Sequence, residues 1–232
     1  MIRITRNRIP VNTLLLLMLL VVVPTGHAQV NVMDNKYPVV NQSEMYIYRV
    51  VTVVEGLKHP WSFTFLPNGD MLVTERPGQL RIVRNGILDP EPIAGVPPVW
   101  YRGRAGFLDV ALHPDFESNQ LVYFTYTKPN EDGKQGTMAA ARGRVNGMRL
   151  TDVEDIFVAQ PWGSRPGHFG SRIVFDGKGY VFISTGDMSI VNVTSVPGEE
   201  HPAQDLSNHA GVIVRLHDDG RVPSDNPFVN TP

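Results

Sequence analysis

The chain has 232 residues, a formal net charge of -2 and no cysteine. The lack of cysteine excludes thiol catalysis, disulfide bonds and cysteine metal sites. A mildly acidic chain without a lysine and arginine cluster also argues against nucleic-acid binding, because phosphate recognition needs a basic face.

The N-terminus predicts a secretory signal. Three arginines within the first eight residues precede an uninterrupted apolar run from Leu14 to Val23. This run fits the apolar core of a signal peptide and is shorter than the roughly 18 residues that span a bilayer, as an uncleaved anchor would require. Small residues at Gly26 and Ala28 satisfy the signal-peptidase rule. We therefore expect a signal peptide over residues 1–28, cleavage before Gln29, a periplasmic location and no stable membrane insertion afterwards.

The remaining sequence predicts an all-β protein. Residues 29–44 are polar without periodicity and predict an extended N-terminal arm. From residue 45 onwards, short runs of Val, Ile, Phe, Tyr and Thr are separated by Gly, Pro, Asn and Asp, which is typical of strands and turns. The predicted strands cover 45–54, 61–66, 70–75, 79–84, 107–112, 120–127, 138–145, 154–159, 171–175, 179–185 and 211–216.

A weak internal repeat indicates a β-propeller. WSFTFLPNGDMLVTER, LDVALHPDFESNQLVYFTYT and SRIVFDGKGYVFISTGD each read as strand, turn and strand. With Phe65, Leu112 and Phe175 taken as equivalent, the spacings are 47 and 63 residues, against the roughly 40–50 of a propeller blade. Radial stacking of such hairpins buries both of their faces, and eleven strands predict about three blades. A β-sandwich is the alternative, although it explains the repeated turn chemistry less well.

Five segments then resemble, in order and spacing, those of a known enzyme family. They are HPWSFTFLPNGDMLVTERPGQLRIV, GFLDVALHPDF, GHFGSRIVFDGKGYVFISTGD, AQDLSNHAGVIVRL and DGRVPSDNPF, between Val50 and Phe228. They are similar to segments of the soluble, PQQ-dependent aldose sugar dehydrogenases of the glucose/sorbosone dehydrogenase family. The resemblance implies a six-bladed β-propeller, of which residues 45–232 form a part. It also implies PQQ, calcium, an external electron acceptor and oxidation of an aldose at C1 to the lactone.

The resemblance implies that His168 is the general base and contacts the cofactor. Hydride cannot leave C1 until the sugar hydroxyl loses its proton, and imidazole titrates near the working pH. Arg172 fits a solvated strand residue better than a group near the cofactor. Asp187 either fixes the loops of the site or is an ordinary turn residue, while Gln204 and Asp205 are interpreted as loop-shaping.

Two positions depart from the family pattern. Arg104 stands where the family has a glutamine that contacts PQQ; an arginine can donate to a carboxylate of the quinone or can block the site. Val212 stands where relatives usually have lysine. Family members continue for roughly three further blades after the position of Pro232. We therefore expect calcium ligands beyond this chain, assign no metal ligand within it, and expect little activity from it alone.

Two other functions stay open at this stage. A calcium-dependent lactone hydrolase on a related propeller needs acidic residues that converge on a metal, and Asp109, Asp176 and Asp187 show no evident shared geometry in the sequence. A non-catalytic periplasmic propeller that binds a partner or a sugar is the third hypothesis. His168 argues against it and Arg104 argues for it.

Overall fold

The computed structural model describes residues 2–7, 40–160, 162–189 and 201–229. The chain divides into two compact units, Met1–Gly56 with Asn85–Ile87, and Leu57–Arg84 with Leu88–Pro232. Most of the predicted signal peptide and arm lies outside the described residues, so both stay predictions.

The first unit contains a three-stranded antiparallel sheet of order β1-β3-β2. Its strands are β1 (Ile2–Asn7), β2 (Val40–Gln42) and β3 (Ile47–Thr52). β2 falls within the residues predicted as an arm without secondary structure. A three-residue strand paired through its backbone leaves no hydrophobic alternation in the sequence, which explains why the pattern missed it.

The second unit is built from consecutive antiparallel strands in three sheets. The first sheet contains β4 (Pro60–Phe65), β5 (Met71–Glu75) and β6 (Gln79–Arg84), and β7 (Ile87–Leu88) follows at the boundary between the units. The second contains β8 (Phe107–Leu112), β9 (Leu121–Pro129), β10 (Gly136–Asn146) and β11 (Arg149–Val158). The third contains β12 (Gly170–Phe175), β13 (Tyr180–Thr185) and β14 (Ile213–His217).

Helical structure is confined to short pieces in the described part of the chain. A single turn, α1 (Phe116–Asn119), links β8 to β9, and a 3₁₀ helix (Pro202–Gln204) precedes β14. No helix among the described residues is long and apolar enough to cross a membrane.

The three strand–turn–strand units predicted from the repeat are confirmed as antiparallel strand pairs, β4 with β5, β8 with β9 and β12 with β13. β4 pairs with β5 through partners such as Phe63 and Val73, and β12 pairs with β13 through partners such as Ile173 and Ile183. The largest error in a boundary is at β11, which begins five residues before the predicted 154. Its first residues alternate between buried and exposed positions, so polar residues that point outwards concealed the start of the strand.

The middle sheet buries both of its faces because its side chains alternate. Phe107 and Phe124 belong to a core shared with the first sheet, and their rings meet edge to face at 5.3 Å. Leu108 and Tyr123 belong to a second core shared with Ile173 and other residues of the third sheet. Each such large apolar side chain contributes about 1.5–3 kcal/mol when fully buried. The three sheets therefore stack face to face, as predicted for blades.

One buried carboxylate joins the first strands of all three sheets. Asp109 on β8 is 2% exposed and accepts hydrogen bonds from Ser62 Oγ on β4 (2.6 Å), the Ile173 amide on β12 (2.9 Å) and Arg172 Nη1 on β12 (3.0 Å). A buried charge is tolerated only when it is paired in this way. The bonds fix the three first strands relative to one another, and with them the loops that enter β8 and β12.

Candidate active site

The loop before β12 carries His168 and is held by close backbone contacts with the end of β13. The His168 carbonyl accepts a hydrogen bond from the Met188 amide at 2.9 Å. A Cβ on Gly186 would lie 1.9 Å from that carbonyl oxygen, and a Cβ on Gly170 would lie 2.6 Å from the Thr185 carbonyl carbon. His168 itself has φ +53°. The glycines let the loop before β12 and the end of β13 approach each other closely enough to fix the backbone of His168. The side chain of His168 is 43% exposed.

Asp187 sets the protonation pattern of the His168 ring. Its Oδ1 lies 2.9 Å from His168 Nδ1 and also accepts the Ser189 amide at 3.0 Å. Because an ionised carboxylate only accepts, Nδ1 must carry the hydrogen in this pair. Nε2 then keeps its lone pair, and no described residue hydrogen-bonds to it. The ring thus presents an available base towards solvent.

The environment of Asp187 keeps its carboxylate ionised. Partial burial acts to raise the pKa of Asp187. Hydrogen bonds from Ser189 and His168, together with the electrostatic effect of the neighbouring His168 and His201 rings, outweigh burial and hold the pKa of Asp187 below its usual range. Asp187 therefore remains an ionised acceptor for Nδ1 of His168 at neutral pH.

A second histidine, which the sequence analysis missed, lies on the other side of Asp187. His201 Nε2 is 3.7 Å from Asp187 Oδ2, and His201 Nδ1 accepts the Ala203 amide at 3.1 Å at the start of the 3₁₀ helix. No pattern in the sequence relates residues 187 and 201, which are separated along the chain and close together only in the folded structure.

The predicted loop-shaping residues follow directly after His201. The Gln204 amide donates to the His201 carbonyl at 2.7 Å, and Asp205 Oδ1 accepts the Ser207 amide at 2.9 Å. These bonds are local, as expected of residues that shape a loop.

Arg104 lies on the loop that adjoins the His168 loop. Its amide donates to the Pro166 carbonyl at 3.0 Å, and Arg76 Nη2 donates to the carbonyl of Gly103. The Arg104 side chain is exposed. The structure thus brings together the backbones that carry the two predicted cofactor-binding residues, while the Arg104 side chain forms no hydrogen bond with His168.

Arg172 has more partners than a solvated strand residue requires. It is 61% exposed, in line with that interpretation, yet it pairs with Asp109 and its guanidinium lies 5.0 Å from the centre of the Trp61 ring. Its contribution is a contact between the first and third sheets.

The acids considered for a hydrolase are dispersed. Asp109 lies between the sheets, whereas Asp176 closes the β12–β13 turn by accepting the amides of Lys178 and Tyr180 at 2.7 and 3.1 Å. Among the residues that the structure describes, no three acidic or histidine side chains are grouped so that they could hold a metal ion.

Comparison with known proteins places this chain in a family. The glucose/sorbosone dehydrogenase model matches residues 57–232, which is more than half of the chain. The chain belongs to the glucose/sorbosone dehydrogenase family. The family resemblance and the all-β propeller class predicted from the sequence are thereby confirmed, while the number of blades stays a prediction.

Two curated relatives of this glucose/sorbosone dehydrogenase family member are about twice its length. Aldose sugar dehydrogenase YliI of Escherichia coli is 41% identical over 183 residues, covering 78% of this chain and 47% of YliI. The uncharacterized protein slr1608 of Synechocystis is 44% identical over 210 residues, covering 83% and 48%. The chain therefore spans about half the length of these relatives.

Solved structures of the family superpose on the same half. The apo form of the soluble aldose sugar dehydrogenase from Escherichia coli matches with a TM-score of 0.67 and 40% identity, covering 75% of this chain and 48% of that one. The PQQ-bound aldose sugar dehydrogenase from Streptomyces coelicolor matches with a TM-score of 0.58 and 28% identity, covering 78% and 51%.

Proposed function

We propose that this chain carries the general base and part of the cofactor site of a periplasmic, PQQ-dependent dehydrogenase that oxidises aldose sugars at C1 to the lactone. The observation that carries the proposal is the His168–Asp187 pair, with Nδ1 held at 2.9 Å and Nε2 open. The names of the relatives support the substrate class, and the PQQ-bound neighbour supports the cofactor. An external acceptor takes the electrons from the reduced enzyme.

His168 removes the proton of the C1 hydroxyl. Nε2 accepts that proton, and the imidazolium formed is stabilised by Asp187 through Nδ1, without transfer of the proton to the carboxylate. The C1–O bond becomes a carbonyl as the hydride leaves C1. PQQ supplies the hydride acceptor when it is bound.

The residues present fit an anionic quinone. Arg104 is an exposed cation on a loop whose backbone bonds to the loop of the base, and a guanidinium donates to carboxylates in a bidentate manner. We assign cofactor binding to Arg104 and His168. Calcium belongs to the proposal, but we assign none of its ligands to the described residues of this chain.

Activity tests the base. In the longest protein that the natural gene encodes, supplied with PQQ, calcium, an aldose and a dye acceptor, His168→Ala should lower kcat by about 10²–10⁴-fold, the usual worth of a positioned base. His217→Ala is the control, because the His217 ring packs on the Tyr180 ring, with 5.1 Å between the ring centres, and not on the proposed base. An unchanged rate in His168→Ala would remove His168 from the mechanism.

Cofactor titration tests Arg104 separately. Arg104→Ala should weaken PQQ binding about 10-fold, because one charge-assisted contact is lost. Arg104→Gln, which introduces the residue usual in the family, should bind PQQ at least as well as Arg104→Ala. Arg102→Ala is the matched control, because Arg102 lies on the same loop with its guanidinium 5.8 Å from the Trp100 ring centre. Equal affinity in Arg104→Ala and wild type would refute the assignment.

A further inference from the structure

The carboxylate of Asp187 lies between two imidazole rings. Oδ1 faces His168 Nδ1 at 2.9 Å and also accepts the Ser189 amide at 3.0 Å. Oδ2 faces His201 Nε2 at 3.7 Å. The two oxygens thus have different tasks, one towards the base and the other towards the second histidine.

His201 is fixed at both its ring and its backbone. Nδ1 accepts the Ala203 amide at 3.1 Å, and the His201 carbonyl accepts the Gln204 amide at 2.7 Å. Because Nδ1 is used as an acceptor, the ring hydrogen lies on Nε2, the atom that faces Asp187. The His201 side chain is 39% exposed, so solvent weakens its attraction for the Asp187 carboxylate but does not reverse it.

We propose that His201 is a positioning residue for the dehydrogenase: its Nε2–H, 3.7 Å from Oδ2 of Asp187, attracts that oxygen and so keeps Oδ1 directed at Nδ1 of His168. The inference rests on the proposed function for its catalytic meaning. It deepens that function, because it adds a residue that acts through Asp187 and does not touch the sugar.

The chemical need for such a residue follows from the proton transfer. While His168 carries the proton of the sugar, a carboxylate that turned away or took up the proton would release Nδ1. The electrostatic effect of His201 is one of the interactions that hold the pKa of Asp187 low against the opposing effect of burial, after the hydrogen bonds of Ser189 and His168. Two more cations, Arg104 and Arg165, lie on the adjoining loops.

Two substitutions at residue 201 separate the effects of shape and of charge. His201→Asn keeps an acceptor for the Ala203 amide but removes the imidazole. His201→Arg supplies a permanent cation that can reach Oδ2. His217→Asn is the matched control on β14. Amide spectra and thermal unfolding check that each variant is folded.

The first measurement needs no cofactor and uses the 232-residue chain. Carboxyl ¹³C titration should show a higher pKa for Asp187 in His201→Asn, and no such rise in His201→Arg or His217→Asn. Imidazole ¹⁵N shifts should show a smaller Nδ1–H fraction for His168 in His201→Asn. Unchanged Asp187 titration and unchanged His168 shifts in His201→Asn would overturn the proposal.

The second measurement uses the longest natural gene product with PQQ and an aldose. His201→Asn should lower kcat about 3- to 10-fold with KM unchanged, because orientation at the reacting proton is lost while sugar binding is kept. His201→Arg should recover part of that loss. If His168→Ala retained activity while Asp187 still responded to His201→Asn, the proposed function would fail and the coupling would stand. If His168→Ala lost activity and Asp187 did not respond, only the role of His201 would fail.

Discussion

His168 owes its direction to a neighbour that has no side chain. The end of β13 passes so close to the His168 carbonyl that Gly186 leaves no room for a Cβ, which would lie 1.9 Å from the oxygen. This contact, with the Met188 amide bond at 2.9 Å, sets the backbone from which the ring reaches Asp187. The geometry of the base therefore depends on residues that perform no chemistry.

Gly186→Ala should damage the site more than the fold. The added methyl forces the end of β13 away from the His168 loop, which should lower the free energy of unfolding by about 1–3 kcal/mol, as is typical of overpacking. At equal folded fraction, kcat should fall at least about 10-fold, because the His168 loop moves. Gly177→Ala is the control: nothing lies within 4 Å of its Cβ position, so only its φ of +71° costs about 1 kcal/mol. Equal kcat in the two variants would contradict this account.

The sequence alone predicts part of the site at this scale. His168 was predicted because its motif resembles the family, and the structure adds the partner that defines its tautomer. The sequence leaves two interpretations of Asp187 open, because a turn aspartate looks the same in sequence whether or not a ring faces it. His201 gave no signal, since a single histidine before a proline has no pattern to detect.

The strands are easier to predict from the sequence than the polar contacts that join the sheets. The alternation of β8 predicted its bounds of 107–112 correctly, yet nothing in it shows that Asp109 would be buried beside Ser62 and Arg172. A carboxylate in an apolar strand suggests a surface or a functional site. Its partners come from other sheets, at sequence separations that no periodicity reports.

Asp109→Asn should weaken the contact between sheets. The amide replaces one acceptor oxygen by a donor, so its NH2 group faces either Arg172 or the Ile173 amide, and a buried hydrogen-bonding group left unsatisfied costs about 1–3 kcal/mol. Arg172→Ala should cost about 1 kcal/mol or less, since that side chain is 61% exposed and Asp109 keeps the hydrogen bonds of Ser62 and the Ile173 amide. Urea unfolding followed by fluorescence would compare the two free energies. A larger loss for Arg172→Ala would show that the guanidinium, not the carboxylate, holds the sheets together.

Taken as a whole, the molecule should lose stability in acid. Several aspartates have a pKa below the usual range because backbone amides, cations or both bind them: Asp132, Asp176, Asp187, Asp205, Asp219 and Asp225. A folded-state pKa below the unfolded value adds stability that is present above the unfolded pKa, about 3.9, and is lost as pH falls through the folded pKa.

The melting temperature should therefore fall as the pH decreases below about 4. Asp176→Asn keeps an oxygen acceptor for the amides of Lys178 and Tyr180 while it removes one titrating group. Its melting temperature should depend less on pH than that of the wild type. Parallel pH curves for the two proteins would exclude Asp176 as a contributor.

Export should also change the first unit. If the signal peptide is cleaved before Gln29, β1 is removed and β3 keeps β2 as its partner in that sheet. Intact mass of the protein from a Gram-negative periplasm should correspond to a chain that begins at Gln29. Recovery of a periplasmic protein that still contains Met1 would be incompatible with cleavage.

The antiparallel order of the second sheet provides an attachment point at the end of the sheet opposite the site. β8 begins next to the site and successive strands reverse direction, so the turn after Asn146 lies at the opposite end, where a Cβ on Gly147 would meet nothing within 4 Å. The chain has no cysteine of its own. Asn146→Cys would introduce a single thiol, through which the protein could be fixed to an electrode in one orientation with the base facing outwards.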